Sequence, residues 1–488
     1  MVNKRKLIIL SMLLSILLTG CITRTIVKLK GNSKHIITSE NSHYDENQCL
    51  LANGIESNDF ELVKCAIDEG ADLNSLGKYT IMTEKNPLFT SLCNSDKRIV
   101  LLLIENGADV NYKAGKLYDG SNCLMIAASN KYEDVCKLLI EKGININEKD
   151  NEGQNAIDYA IQASSDSYLE EKQILNLAKM LYKEGVKISD KTKKNILDKD
   201  EVKHTSGYKT NIKYEIIKWL IDIGEIKETD LDENQKIFYN VYLGNLDEVK
   251  KLNKSQLNIE NYQCQNLLVV AAKYGQTDIV EYLLEKGFNP QKRIKGAFGM
   301  NAIVYATTSG NLQTLKAITK NCRLSDKELY RIIYSSIYRS TTDEYIDGIS
   351  YLVDLMNNVN EADGNENDNI LSEACLLGLY KTSKLLIDKN VELNGNVLLS
   401  AIESGNISIV KLLIDNGIDV NQKRYYPEDE EIESYSESGL LCAVMNGDYD
   451  IAKLLVQNGA EIDQEVKEYV DGHVSERMKA LVKNNKQD

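Results

Sequence analysis

The residue types that most often perform chemistry are few in this chain of 488 residues, and their spacing fits no catalytic pattern. There is no Gly-x-Ser-x-Gly, phosphate-loop, His-Glu-x-x-His or dinucleotide-binding motif. No two cysteines have the Cys-x-x-Cys spacing of a zinc site, and the histidines are scattered: His35, His43, His204 and His473. We therefore expect no catalytic residue, no cofactor and no metal, and we predict that the protein is not an enzyme.

One cysteine, Cys21, follows a segment with the composition of a secretory signal. Residues 1–6 contain three basic side chains, and residues 7–18 form an uninterrupted 12-residue run with no charge, made mostly of apolar side chains. Such a run is shorter than the roughly 20 residues that span a bilayer, and a basic start before it is typical of a signal peptide. A signal anchor, or an apolar start without a targeting role, is the alternative.

The sequence Leu18-Thr19-Gly20-Cys21 resembles the bacterial lipobox. The resemblance implies a diacylglyceryl thioether on Cys21, cleavage before its amine, and enough acyl chains for stable membrane attachment. In lipoproteins of this kind an Asp after the lipidated Cys favours the inner membrane, so Ile22 favours the outer membrane or cell surface. We expect a signal peptide over 1–20, a tether over 21–45, and a protein lipid-anchored in a bacterial cell envelope.

The composition limits the partners and the role of the other cysteines. A formal net charge of −15 argues against DNA or RNA as a partner, because nucleic-acid binding needs clustered Lys and Arg. Most of the nine remaining cysteines fall inside predicted helices at positions suited to small apolar residues, so we interpret them as buried hydrophobic residues and not as a disulfide framework. These are Cys49, Cys65, Cys93, Cys123, Cys136, Cys264, Cys322, Cys375 and Cys442.

Seven segments repeat one arrangement, in which two turn residues 12 positions apart bracket an apolar run with helical spacing. The brackets are Gly275/Gly287, Gly405/Gly417, Gly447/Gly459, Asn58/Gly70, Ser95/Gly107, Lys131/Gly143 and Gly378/Asn390. A final glycine suits the left-handed backbone with which many helices end. Each bracket therefore predicts one short amphipathic helix.

A second short helix is predicted upstream of each bracket, beginning at an asparagine. Asn is among the best N-caps, because its side-chain oxygen accepts a hydrogen bond from a backbone N–H that the helix leaves without a partner. The predicted caps are Asn86, Asn122, Asn155, Asn266, Asn301, Asn369 and Asn396. The bracketed helix is followed by a short apolar-acid-apolar-Asn stretch, as in Gly107-Ala108-Asp109-Val110-Asn111, where we expect the Asn to favour a turn.

These units resemble the ankyrin repeat. Asp150-Asn-Glu-Gly153-Gln-Asn155-Ala-Ile157 and Ala271-Ala272-Lys-Tyr-Gly275 match its pattern, although Asn mostly replaces Thr of the Thr-Pro-Leu-His motif and only Pro87 keeps the proline. The resemblance implies an all-α solenoid of paired antiparallel helices with short β-hairpin connections, and about 12 repeats at roughly 33 residues each. We expect the array over 46–462, with degenerate units near 190–260 and 325–360, and a capping helix over 463–488.

Irregular segments are the candidate contact surfaces. The longest predicted hairpin, 421–438, carries Tyr425, Tyr426 and Tyr435 beside a carboxylate run, and a second tip carries Tyr112 and Tyr118. Aromatic side chains provide large contact areas at low entropic cost, so these five tyrosines are candidate partner-binding residues; a solvated acidic loop is the alternative. The insertion 164–171 and the stretch 198–210 are expected to be exposed loops.

These features predict a membrane-anchored, non-catalytic scaffold that binds a protein of unknown identity and that is a monomer. A periplasmic immunity-like or chaperone-like protein, which inhibits or stabilises one partner, is an alternative within the same class. Another class is a small-ligand-binding or enzymatic protein with a cavity near 219–242. A cytosolic scaffold that only resembles a lipoprotein is the remaining alternative.

Overall fold

The computed structural model is helical throughout most of the residues that it describes. The described residues are 46–75, 86–94, 97–115, 118–163, 168–197, 214–261, 263–295, 300–320, 322–338, 343–360, 369–426, 435–473 and 476–484. They contain 27 α-helices, two short 3-10 helices (Glu228–Asp230 and Asp343–Tyr345) and two β-strands. Two compact bodies divide the chain, an N-terminal body up to Leu117 and a C-terminal body from Tyr118 onward.

The described part of the N-terminal body holds four helices. These are α1 (Glu46–Ser57), α2 (Phe60–Asp68), α3 (Pro87–Asn94) and α4 (Lys97–Glu105). They form helix pairs 1 (α1, α2) and 2 (α3, α4), and within each pair the two helices contact each other.

The C-terminal body continues with eleven helix pairs, numbered 3 to 13. Pairs 3 to 6 are α5 (Cys123–Ser129) with α6 (Glu133–Glu141), α7 (Ala156–Gln162) with α8 (Tyr168–Lys183), α9 (Asp190–Leu197) with α10 (Tyr214–Asp222), and α11 (Glu233–Leu243) with α12 (Leu246–Lys250). A short connecting helix, α13 (Lys254–Leu257), comes next. Pair 7 is α14 (Leu267–Lys273) with α15 (Thr277–Glu285). Pairs 8 to 10 are α16 (Ala302–Thr307) with α17 (Leu312–Thr319), α18 (Asp326–Tyr338) with α19 (Ile346–Asp354), and α20 (Ile370–Leu376) with α21 (Tyr380–Asp388). Pairs 11 to 13 are α22 (Gly395–Glu403) with α23 (Ile407–Asp415), α24 (Gly439–Met445) with α25 (Tyr449–Gln457), and α26 (Gln464–His473) with α27 (Glu476–Asn484); strands β1 (Lys423–Tyr426) and β2 (Tyr435–Ser438) precede α24.

From pair 7 to pair 12, the first helices of successive pairs contact each other, and so do the second helices. The first helix lies between its neighbours and its own second helix, so every residue of α14 is buried. The second helix of the same pair, α15, buries Ile279, Val280 and Leu283. Because each pair covers the apolar face of the next, the core is a continuous strip and not one central cluster.

The predicted asparagine caps are confirmed at six positions. Asn122 Oδ1, for example, accepts a hydrogen bond from Met125 N at 3.0 Å, and Asn266 Oδ1 accepts one from Val269 N at 3.0 Å. Asn86, Asn155, Asn301 and Asn369 cap their helices in the same way.

The predicted cap at Asn396 is wrong. Helix α22 begins two residues earlier, and Asn394 is its cap, accepting a hydrogen bond from Val397 N at 3.1 Å. The connection after pair 10 is short, so the chain reaches the helix before the position that the repeat spacing predicts. Asn396 lies inside the first turn and uses its side chain elsewhere, as the hairpin described below shows.

The bracket residues that the structure describes have the predicted left-handed backbone, and it is not confined to glycine; Ser95 lies outside the described residues. Asn58, Lys131 and Asn390 have φ of 58°, 62° and 62° at places where other pairs have glycine. At Gly275, with φ of 68°, an added Cβ would also lie 2.9 Å from Asn311 Cβ, so the turn between α14 and α15 requires glycine for two reasons.

The asparagines that follow the second helices join one pair to the next. Asn421 Oδ1 accepts a hydrogen bond from Glu461 N at 2.8 Å, and its Nδ2 donates to Gly459 O at 3.0 Å. Asn360 makes the same two bonds with Glu392 N and Asn390 O, and Asn147 makes them with Lys187 N and Gly185 O. In the N-terminal body, Asn74 Oδ1 accepts from Asp109 N at 2.7 Å.

The turn predicted at these asparagines is made by the residue two positions earlier. Asp419 Oδ1 accepts a hydrogen bond from Asn421 N at 2.9 Å, and Asn358 Oδ1 accepts one from Asn360 N at 3.1 Å. The side chain of Asp or Asn thus closes the turn, which leaves the following Asn amide free to reach the next pair. We name the two hydrogen bonds by which such an Asn binds one N–H and one C=O of the next pair the asparagine clamp.

The chain does not finish with the single capping helix predicted over 463–488. The C-terminal body instead has two helices there, and α26 contacts α24 while α27 contacts α25. They occupy the positions of a further helix pair. Val466, Val470, Met478 and Val482 are buried, as the helical spacing of the apolar residues predicts.

The asparagine clamp predicts the effect of one substitution. Asn421→Ala should lower the free energy of unfolding by about 1 kcal/mol, because two hydrogen bonds between pairs 11 and 12 are lost at a site that water can partly reach. Urea unfolding followed by circular dichroism measures the change. The control is Asn458→Ala, which removes an exposed amide that donates within its own turn, to Leu454 O, and an equal effect of the two variants would contradict a role between pairs.

Candidate functional site

The predicted long hairpin forms an antiparallel pair of strands in the C-terminal body. Lys423 pairs with Ser438, Arg424 with Glu437, Tyr425 with Ser436, and Tyr426 with Tyr435. Residues 427–434, including the carboxylate run, lie outside the described residues. Besides these strands, an isolated antiparallel bridge joins Glu260 and Asn266.

Arg424 fastens the hairpin to helix α22. Its Nη1 lies 3.0 Å from Glu403 Oε1, and both side chains are mostly buried, with 13% and 14% exposed. Its Nε donates to Asn396 Oδ1 and its Nη2 to Asn396 O and Ser400 Oγ, each at 3.1 Å. A planar guanidinium that bonds on several edges holds its position more strictly than an ammonium would, so this residue fixes the orientation of β1.

Two further contacts hold the base of the hairpin. Together with the contacts of Arg424, we name them the hairpin seat. Lys423 O passes so close to Gly395 that an added Cβ would lie 2.7 Å away, so α22 requires glycine there. At the end of β2, Ser438 is buried and caps α24 through a bond from Leu441 N to its Oγ at 3.2 Å. The hairpin is therefore attached to pair 11 by one strand and to pair 12 by the other.

The predicted site residues of the hairpin lie on these two strands. Tyr426 and Tyr435 are directly opposite each other in the register, and Tyr425 is opposite Ser436. Their side chains are outside the described part of the structure.

The other predicted residues belong to other parts of the chain. Tyr112 belongs to the N-terminal body, where its half-buried ring lies 5.7 Å from the buried ring of Phe89. Tyr118 is half-buried and begins the C-terminal body. Cys21, the predicted lipidation site, lies outside the described residues.

Sequence reasoning missed a buried charged group elsewhere in the C-terminal body. Lys273 Nζ, at the end of α14, lies 2.6 Å from Glu171 Oε1 in the first turn of α8, and these side chains are only 6% and 1% exposed. Glu171 Oε2 accepts a hydrogen bond from Tyr274 Oη at 2.8 Å. The ammonium lies 5.5 Å and 5.8 Å from the ring centroids of Tyr274 and Tyr305.

The expectation of an exposed loop over 164–171 is therefore wrong at its C-terminal end. Helix α8 begins at Tyr168, and Glu171 is buried. The local sequence could not reveal this, because the partner of Glu171 is 102 residues away. The signal that could have found it is a lysine in a first helix whose other residues are all apolar.

Aromatic rings surround the charged group. The Tyr274 ring packs edge-on against Tyr242 and Tyr214, with centroids 4.8 Å and 6.0 Å away. Tyr214 also stacks on Phe238 at 6.4 Å. Near 219–242, where the small-ligand alternative places a cavity, the side chains of Trp219, Phe238 and Tyr239 are buried.

Models of ankyrin repeats match most of the chain. One, described as "Ankyrin repeats (3 copies)", matches residues 50–150, 113–195, 204–294, 237–328 and 337–424. A second, described as "Ankyrin repeats (many copies)", matches residues 398–456. The chain belongs to the ankyrin-repeat family.

Other comparisons add little to this assignment. No curated protein matches the chain. Among solved structures, the crystal structure of the human ASB11 ankyrin repeat domain is similar, at 15% identity over 46% of this chain and 99% of that chain, with a TM-score of 0.37. At that TM-score the likeness carries no weight, so family membership rests on the repeat models.

The cysteines of this ankyrin protein include thiols deep in the core. Cys136 and Cys375 are fully buried, and burial raises the pKa of both, for Cys375 to about 12. Both are therefore protonated near neutral pH and poor nucleophiles.

Within the described ankyrin pairs, no group of three or more His, Cys, Asp or Glu side chains is placed to hold a metal ion. No helix there has the length and apolarity to cross a membrane.

The charged group inside the ankyrin array has a definite protonation state. Burial by itself lowers the pKa of Lys273, but the attraction of Glu171, followed by that of Tyr305, outweighs it, so the pKa is raised. Burial, and then Glu171, raise the pKa of Tyr274 well above its usual range. At neutral pH Lys273 is a cation and Tyr274 a neutral donor, and the titratable groups that face Lys273 are Glu171, Glu215, Tyr274 and Tyr305.

This electrostatic arrangement predicts a pH-dependent stability difference. Lys273→Met should lower the free energy of unfolding by about 3–5 kcal/mol near pH 7, because it leaves the Glu171 carboxylate buried without its cation. A raised lysine pKa contributes stability below the ordinary value of about 10.4, and that contribution is lost as the pH rises through the folded value. The difference between the two proteins should therefore shrink above about pH 10.4.

Urea unfolding at a series of pH values measures this difference. Lys218→Met, which removes an exposed ammonium paired with Asp222 at 2.7 Å, is the control and should change stability little at any pH. A Lys273→Met deficit that stays constant into the alkaline range would contradict the ion-pair explanation.

Proposed function

We propose that this ankyrin-repeat protein is a non-catalytic scaffold that binds another protein through its C-terminal body and is held at a membrane by lipid on Cys21. Ankyrin repeats are interaction modules, because an array of stacked helix pairs offers an extended rigid surface. The membrane attachment is supported only by the sequence of residues 1–21.

The observation that carries the proposed contact surface is the hairpin seat. A hairpin of this length without attachments would have to be ordered when a partner binds, at a cost of about 0.5–1.5 kcal/mol for each long side chain immobilised. Arg424, Gly395 and Ser438 fix both strands before any partner arrives. The binding energy of the tyrosines is then available for the contact itself.

The register favours a contact in which Tyr426 and Tyr435 act together. Directly opposite residues have Cβ atoms about 5 Å apart, so a cross-strand pair of tyrosines can offer one continuous aromatic surface. Tyr425, which is opposite Ser436 in the register, is a candidate for a separate, smaller contact. Tyr112 already packs on Phe89, which makes it a weaker candidate than the hairpin residues.

The helices beside the hairpin indicate the chemistry of the partner. The first helices of pairs 10, 11 and 12 contain no Lys or Arg, and they expose 38% of Leu376 and 51% of Met445; Leu377, which follows α20, is 38% exposed. The whole chain is acidic, with a formal net charge of −15. We therefore propose a partner surface with an apolar centre and Lys or Arg around it.

The tyrosine contact can be tested once a partner has been captured on the mature chain and identified. Replacing Tyr425, Tyr426 and Tyr435 together by Ala should weaken the affinity for it about 30-fold, the loss expected when one aromatic hot spot is removed. Isothermal titration calorimetry with the purified partner measures the loss. The seat residues are unchanged in this variant, so the array should keep its helical content.

The control for the tyrosine variant is Tyr338→Ala. Tyr338 is the most exposed large apolar side chain in the described residues, at 62%, and it lies in pair 9. Its loss should leave the affinity unchanged. Wild-type affinity in the triple variant, with a loss in Tyr338→Ala, would move the contact away from the hairpin.

The membrane part of the proposal has its own test. Cys21→Ser removes the only side chain that the lipobox resemblance assigns to acylation, so the variant should take up no radiolabelled fatty acid and should leave the membrane fraction. Radiolabelling and fractionation of cells that express either protein measure both effects. Cys264→Ser, which replaces a half-buried thiol of the array, is the control, and unchanged fractionation of Cys21→Ser would reject the anchor.

A further inference from the structure

Pairs 4 and 7 are joined directly, although pairs 5 and 6 lie between them in the chain. Glu171 of α8 and Lys273 of α14 are separated by 102 residues and form the buried ion pair described above. In the regular part of the array, from pair 7 to pair 12, contacts run between successive pairs. A bond that passes over two pairs is a departure from that arrangement.

One helix in each of the pairs that are passed over buries few residues. In α9, the first helix of pair 5, Thr192 is the single buried residue, and it donates a hydrogen bond to Asp158 of pair 4. Helix α12 of pair 6 has only five residues, of which Val249 is buried. The other helices of these pairs, α10 and α11, are largely buried, so α9 and α12 are where pairs 5 and 6 gain least from their neighbours.

The ion pair exists because α8 is longer than the other second helices. Helix α8 has 16 residues, whereas α6, α15, α21, α23 and α25 have nine each. Glu171 is in the first turn of α8, at the end opposite to the turn residue Gly185, whose backbone is left-handed as in the bracket glycines. The additional N-terminal turns therefore carry the carboxylate to α14.

We propose that the Glu171–Lys273 pair is a latch that holds pairs 4 and 7 in one relative arrangement across pairs 5 and 6. Apolar side chains can slide past one another at little cost, but a displaced ion leaves a charge buried without its partner. Both Glu171 oxygens are used, one by Lys273 and the other by Tyr274, so the bonded arrangement is narrowly defined. The latch fixes the relative arrangement of pairs 4 and 7 more than it raises the free energy of unfolding. Its role does not depend on the identity of any binding partner.

The aromatic rings transmit this constraint to the pairs between. Tyr274 contacts Tyr214 at the start of α10 and Tyr242 near the end of α11. Gln276 Nε2 donates to Tyr242 O at 2.6 Å, which ties pair 7 to pair 6 beside the latch. If α14 were released from α8, the rings of pairs 5 and 6 would lose the surface against which they pack.

Hydrogen exchange of the full chain distinguishes a latch from a simple stabilising contact. The test variant is Glu171→Met with Lys273→Met, which keeps side-chain length and removes both charges, so its overall unfolding midpoint should remain near that of the wild type. Backbone amides over 214–257 should nevertheless exchange on the order of 10-fold faster, with no change over pairs 10 to 12. Tyr274→Phe, which removes one hydrogen bond and retains the ions, should cause a smaller acceleration over the same residues.

The control replaces an exposed ion pair between neighbouring connections, Lys292–Glu260 at 3.0 Å, by two glutamines, and it should leave exchange unchanged. Wild-type exchange over 214–257 in the double methionine variant would overturn the latch. Acceleration that is equal along the whole C-terminal body would also overturn it, because the pair would then contribute only to global stability.

Discussion

The array depends on the fact that an asparagine side chain carries both a donor and an acceptor. A helix pair cannot bury its apolar face alone, so each connection must hold its neighbour in register while the apolar surfaces meet. Asn147, Asn360 and Asn421 do this by bonding to one N–H and one C=O of the following pair. These backbone groups lie just past the ends of second helices, where the chain leaves the helical hydrogen-bond pattern and their partners must come from elsewhere.

The same property explains why Asn takes the place of Thr in the repeat motif. A Thr hydroxyl can accept the capping bond, but Asn155 and Asn369 also donate from Nδ2 to Lys187 O and Glu392 O, just past the second helix of the same pair. The asparagine therefore caps one helix and holds its neighbour at once. The spacing of these residues could be read from the sequence because caps and left-handed turns are local constraints, and even Lys131 and Asn390 adopt the conformation that the spacing demands. The predicted cap at Asn396 is wrong because the connection after pair 10 is short and the helix starts early, at Gly395.

The features that sequence reasoning did not find all involve partners far along the chain. The tyrosines of the hairpin could be selected by residue type, but Arg424 could not, because its role depends on Glu403 and Ser400 being buried beside it. Glu171 lies in a polar stretch that resembles a loop, and only the fold brings Lys273 to it. Local pattern predicts elements well where each repeat obeys the same rule, and it fails where the array departs from its own period.

The array departs from its repeat at the ion pair across pairs 5 and 6 and at the hairpin of pairs 11 and 12. These two departures have opposite mechanical consequences. In a stacked array, local openings occur at the interfaces with the least buried apolar surface. In pairs 5 and 6 these are the interfaces of α9 and α12, which bury one residue each. The hairpin instead extends from pairs 11 and 12, where α22 buries Val397, Leu398 and Leu399 and α24 buries Leu440, Ala443 and Val444. A contact element benefits from a stiff base because less order has to be gained on binding. Pair 5, whose first helix α9 is polar, needs some other interaction to define its position. The buried ion pair between α8 and α14 supplies one, with a bond that tolerates little displacement.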